Sequence, residues 1–237
     1  MNMNFFFYFK LNRLLILLFF LLSSFFFLLS SFFLTNIRNI LCFPKASEGG
    51  FEDVCSVLIQ NGAIIDDLAV SNKDSALILA SKSGHANVVH LLLEANADVH
   101  VKNAYGNTPL HAACTEGYVE VANALIDAGS NIAAVNNKGS TCLHLFCLGD
   151  NEKEYPLDML KMLIKSGGSD VINAKDSRGV TPLIAACGSG REDVCAYLLD
   201  HGANGNDIDN SGMTGVDTAK FQSKKLSSKI LDQMARK

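Results

Sequence analysis

The residues of this chain best suited to chemistry lie in three stretches of one pattern: TPLHAAC from Thr108 to Cys114, TCLHLFC from Thr141 to Cys147 and TPLIAAC from Thr181 to Cys187. A hydroxyl, an imidazole and a thiol this close together could act as a nucleophile with its base, and His with Cys could hold zinc. The same register equally suits one structural unit used again and again. Other catalytic signals are missing from the sequence: it contains no HExxH, no P-loop and no CxxC, and the GSGRED run at Gly188 falls short of a dinucleotide fingerprint. Neither a catalytic residue nor a cofactor or metal site is therefore expected.

What positions these residues is a repeat. Aligned on Ser75, Thr108, Thr141, Thr181 and Thr214, the units are spaced by 33, 33, 40 and 33 residues. Each reads as helix, turn, helix and hairpin. The opening Thr can accept a hydrogen bond from a free N–H of the first turn, and Pro109 or Pro182 suits the first helical position, where no N–H is needed. Leu110, Ala113 and Cys114 then share one apolar face. Gly117 and Gly190 end first helices. Gly62, Asn96, Gly129, Gly167 and Gly202 share the stop position after the second helix, where a left-handed cap is expected. The chain next turns around Gly106, Gly139, Gly179 and Gly212. Helix pairs this short cannot bury their faces alone, so neighbouring units must stack.

On these residues the units resemble ankyrin repeats, which have a 33-residue period and a T-P-L-H-x-A signature. The resemblance implies an all-α solenoid of stacked helix-turn-helix units with β-hairpin fingers over residues 44–237: a degenerate first repeat, four further repeats and a C-terminal capping repeat from Thr214. It also implies a non-enzymatic scaffold whose partners are proteins. Carried over from family positions that face partners, the candidate contacts are Lys82, Thr115 and Glu116 on first helices. Tyr105, Asn107, Asn137, Lys138, Ser177 and Arg178 join them from the fingers. For His111 and His144 the resemblance implies a structural hydrogen bond between repeats.

The thiols also fall into register. Cys114, Cys147 and Cys187 stand six positions after their anchors, where the second repeat has Ser81, and Cys55 and Cys195 coincide fourteen positions after theirs. Packed helices lie about 8–10 Å apart, whereas a disulfide needs Cα atoms within about 7 Å. Cysteines in consecutive repeats are thus expected to stay reduced and to serve as small packing groups.

The chain ahead of the repeats has a different composition. Residues 1–43 hold 12 of the 15 phenylalanines, and their only charges are Lys10, Arg13 and Arg38. The remainder carries a formal charge of −7, from 17 Lys and Arg against 24 Asp and Glu, which disfavours a nucleic-acid partner. Leu14 to Leu34 contains only Leu, Ile, Phe and Ser, a run long enough to cross a hydrocarbon core of about 30 Å. Three readings stay open: a membrane anchor, a pyrimidine-rich untranslated tract read from a misplaced start, or a secretory signal. An anchored or sensory protein, or the regulatory part of a larger enzyme complex, is accordingly the alternative to a plain scaffold. The repeats carry no N-x-S/T sequon, and the cytosol is their expected compartment.

Departures from the pattern concentrate in two repeats. The fourth has about five extra residues in LGDNEKEYPLD and two in GGSDVINAKD, both expected as surface loops. Its Phe146 replaces the usual Ala and is expected to splay the stack. In the first repeat, Pro44 falls where the first helix should be and is expected to disfavour it.

Overall fold

A computed structural model describes residues 42–69, 72–149, 157–167, 169–224 and 226–235. Its helices come in pairs. They are α1 (Cys42–Glu48) with α2 (Glu52–Gln60), α3 (Ala76–Ser83) with α4 (Ala86–Glu94), and α5 (Pro109–Glu116) with α6 (Val119–Asp127). Then come α7 (Cys142–Cys147) with α8 (Leu157–Gly167), the short α9 (Ser169–Ile172), α10 (Pro182–Ser189) with α11 (Glu192–Asp200), and α12 (Gly215–Phe221) with α13 (Ser228–Ala235). First helices pack on first helices through α1, α3, α5, α7, α10 and α12, and second helices on second helices through α2, α4, α6, α8, α11 and α13. The stretch from Leu14 to Leu34 lies outside the described residues; among those, no helix is long and apolar enough to cross a membrane.

The anchors start the helices as their residue types require. Ser75, Thr108 and Thr181 sit in extended backbone, and each side chain accepts from the N–H three residues on, that of Ile78, His111 and Ile184. Leu77, Leu110, Leu143 and Leu183 follow at the same register and are buried. Burying one such side chain contributes about 1.5–3 kcal/mol, so the stacked faces carry the fold.

Three local expectations are corrected. Pro44 does not break the first helix, because it occupies the third position of α1, within the first turn, whose N–H groups have no intrahelical acceptor anyway. Gly167 is absent from the left-handed stops formed by Gly62, Asn96, Gly129 and Gly202. It is required instead by close approach: a Cβ there would lie 2.8 Å from Val171 Cγ2 and 2.9 Å from Ile132 Cγ2. The extra residues of the second insertion do not all go to the surface. They coil into α9, where Val171 and Ile172 are buried, since a helical turn satisfies the backbone groups that an irregular buried loop would leave unpaired. Phe146 is fully buried, under the guanidinium of Arg191 at 4.5 Å from its ring centroid.

The fingers also differ from the β-hairpins expected. Among the described residues no strand forms, and the isolated bridge is Leu68 with Ser75. A side chain takes over the donors that a ladder would use. Asn103 Oδ1 accepts from the N–H groups of Tyr105 and Asn107, both at 3.0 Å. Asn136 does the same for Lys138 and Ser140, and Asp176 for Arg178 and Val180. Such Asx turns are complete without a partner strand.

Candidate protein-binding edge

Successive finger tips are joined backbone to backbone. Ala104 N–H donates to Asn72 O at 2.8 Å, Asn137 N–H to Tyr105 O at 3.0 Å, Ser177 N–H to Lys138 O at 2.9 Å, and Asn210 N–H to Arg178 O at 2.8 Å. Asn72, Tyr105, Lys138, Arg178 and Ser211 hold one register, three residues before each anchor, and form a single row. After every tip but Asn72, which is followed by Lys73, the next residue is glycine, and at Gly106 this permits the approach: it has φ 76°, and a Cβ on it would lie 2.7 Å from Asn137 N.

The nine candidate contacts separate along this row. Tyr105 is 60% exposed, and Lys138 and Ser177 are exposed beside it. Arg178 is exposed as well, but its guanidinium is shared with the buried Asp176, NH2 donating to Oδ2 at 3.0 Å. Two candidates are committed to the architecture. Asn107 Oδ1 accepts from Asn136 Nδ2 of the next finger at 2.9 Å, and Asn137 Nδ2 donates to Ala104 O at 2.9 Å. Lys82 and Thr115 are exposed in the last turns of α3 and α5, where the Thr115 hydroxyl donates to His111 O; Glu116 is half-buried beside it. Distance from the anchor does not separate the two groups, since Asn137 and Ser177 both stand four residues before theirs; what the committed pair share is an asparagine amide long enough to reach the neighbouring finger.

The histidines and thiols that opened the question hold the repeats together. His111 Nε2 lies 3.1 Å from Ser140 O and His144 Nε2 3.0 Å from Val180 O, each carbonyl belonging to the segment that leads into the next repeat. A carbonyl only accepts, so the proton is on Nε2 and Nδ1 is the acceptor for the anchor N–H, at 3.2 Å in both repeats. Burial lowers the pKa of His111 to about 4 and also lowers that of His144, which keeps both rings neutral. Cys55, Cys114, Cys142, Cys147, Cys187 and Cys195 are free and buried. Burial pushes the thiols of Cys55, Cys114 and Cys147 up, away from the reactive thiolate. Among the described residues, no three or more His, Cys, Asp or Glu side chains gather as a metal site.

One structural residue went unnoticed in the sequence. Arg191, buried, donates from NH1 to Phe146 O at 2.6 Å and so caps α7 from the following repeat. Its register matches Phe51, His85 and Tyr118. His85 reaches back in the same way, its Nε2 lying 3.0 Å from Glu48 O.

Stacked helix pairs, a row of linked finger tips and histidine bridges between units define a repeat protein of the solenoid class. A family model described as ankyrin repeats (3 copies) matches residues 40–136 and 128–209. The chain belongs to the ankyrin-repeat family. It is 43% identical over 67 residues to the Drosophila melanogaster protein Ankyrin repeat and KH domain-containing protein mask, a match that covers 28% of this chain and 2% of that protein. To human Ankyrin repeat and KH domain-containing protein 1 it is 38% identical over 66 residues, 27% of this chain and 3% of the relative. Protein HOS4 of Saccharomyces cerevisiae is 37% identical over 71 residues, 30% of this chain and 7% of the relative. These matches span only a small part of each relative's length.

Proposed function

We propose that this chain is a non-enzymatic protein-binding scaffold whose contact edge is the finger row with the last turns of α3 and α5. The observation that carries the reading is the row itself. Tyr105, Lys138 and Ser177 project from tips whose backbones are tied together, so their relative positions are set before any partner arrives, and preorganisation lowers the entropic cost of binding. Tyrosine and arginine are favoured interface anchors, and Tyr105 and Arg178 stand two repeats apart on the same row. A cytosolic setting belongs to the same proposal, supported by six buried thiols that are free.

Site-specific photocrosslinking tests the reading. A photoreactive residue at position 105 or 138 should capture a discrete partner band, whereas one at position 120 on the outer face of α6 should not. Equal capture from all three positions would show that the row is not the contact edge. Membrane association through Leu14 to Leu34 is a separate proposal, supported by the length and composition of that run. Resistance of the full chain to alkaline extraction from membranes would support it.

A further inference from the structure

The sixth and fourteenth positions after each anchor face one another across the two helices of a repeat. In the first repeat they are Ser47 and Cys55, with Oγ and Sγ 3.6 Å apart. In the second they are Ser81 and Val89, and in the third Cys114 and Ala122. The fifth repeat places a thiol at both: Cys187 Sγ and Cys195 Sγ lie 3.6 Å apart between α10 and α11, and both residues are fully buried. These sulfurs need to move little to bond, since a disulfide has its sulfurs about 2 Å apart.

What covers the pair is the capping repeat. Gly215 opens α12 where the third and fifth repeats have Pro109 and Pro182, and a Cβ on it would lie 2.9 Å from Cys187 Sγ and 3.1 Å from the terminal methyl of Met234. Helix α12 packs on α10, and α13 packs on α11. The cap is the least enclosed of the described units. Phe221 at the end of α12 is 79% exposed, and apart from Ile230 and Met234 the side chains of α13 are exposed or half-buried. Elements with few buried contacts open most often, by local unfolding rather than global.

We propose that Cys187 and Cys195 are a redox modification site that a hydroperoxide converts to an intrarepeat disulfide when the capping repeat opens. With the cap closed, the pair is shielded, and hydrogen bonding to Cys187 together with burial raises the Cys195 thiol well above its ordinary range. Opening admits the hydroperoxide and water, and Cys187 passes its proton to water. Its thiolate attacks the peroxide, the O–O bond breaks, an alcohol or water leaves with a proton, and Cys187 becomes a sulfenic acid. The Cys195 sulfur then displaces that oxygen as water and the S–S bond forms. Two thiols and one hydroperoxide thus give one disulfide, one alcohol and one water. The bond ties α10 to α11, and small thiols reverse it by exchange.

The experiment incubates the reduced full chain with hydrogen peroxide under native conditions, alkylates the remaining thiols and maps linked peptides by mass spectrometry. The expected product joins Cys187 to Cys195, disappears on treatment with dithiothreitol, and forms about tenfold faster in Met234→Ala, which loosens the cap. Cys187→Ser, which copies Ser47 and Ser81, should not form it. If that variant does not fold, Cys195→Ala, which copies Ala122, serves the same purpose. A dominant link between Cys114 and Cys142 or between Cys147 and Cys187 would overturn the proposal. So would a rate unchanged by Met234→Ala, or no linked peptide from the folded chain.

Discussion

Repeats 3 and 4 begin with the same histidine bridge and end differently. Each opens with a Thr whose N–H meets the Nδ1 of a histidine three residues on, and each histidine reaches the next repeat through Nε2. Repeat 3 then closes its first helix with its own residue, Gly117, at φ 82°. In repeat 4, α7 stops after six residues at Leu148, which stays right-handed, and its Phe146 carbonyl is capped by Arg191 of repeat 5. Where repeat 3 packs Ala113, repeat 4 packs the whole ring of Phe146 beneath that guanidinium. A helix start is written within three residues. A helix end can be supplied by a neighbour 45 residues away.

The largest expected effect follows from the ring. If repeat 4 has reorganised around Phe146, restoring the usual small residue by Phe146→Ala should cost about 3–5 kcal/mol in chemical denaturation, because the cavity is enclosed. A neutral or stabilising result would mean that repeat 4 retains the packing of repeat 3. Next comes a feature the two repeats share. His111 has its folded pKa lowered to about 4 from an ordinary value near 6.5, so between these values the unfolded chain binds more protons than the folded one. Its contribution is complete above about pH 6.5 and drains away as pH falls to about 4, by about 3 kcal/mol. His144 acts with the same sign. Melts across this range should lose part of their acid sensitivity in His111→Gln.

Smaller effects separate the two helix ends. Arg191→Met keeps an aliphatic stem but loses the charged hydrogen bond, and should lower unfolding free energy by about 2 kcal/mol. Gly117→Ala should cost about 1 kcal/mol, because alanine pays for the left-handed backbone, whereas Leu148→Ala in repeat 4 meets no such strain. Smallest of all should be Tyr105→Ala, below about 0.5 kcal/mol on stability, since the side chain is exposed. Its readout is partner binding, which should weaken while the melt stays in place; an unchanged affinity would remove Tyr105 from the contact edge.

Much of the fold was legible because it is local. Thr108 with Pro109 marks a helix start wherever it stands, and the anchor spacing exposes the repeat before any contact is known. The bridging role of His111 and His144 was legible too, through the family signature. The arrangement of the finger tips was legible only in part. Tyr105 and Lys138 project from the tips, but Asn107 and Asn137 hold the fingers together, a role decided by where the next finger falls. Pro44 was misjudged because the prohibition on proline was applied without locating the first turn of α1.

The sequence by itself determined the periodicity and the register of histidines and thiols, which are counted along the chain, and the helix starts, which depend on residues within one turn of each other. Tertiary structure alone decided that Arg191 caps α7, that Gly167 yields space to Val171 and Ile132, and that Cys187 meets Cys195 beneath the cap. Each of those contacts joins separate elements of the fold. Which side chains meet there depends on how the helices stack, and stacking is set by the shape of the whole buried surface rather than by any one segment.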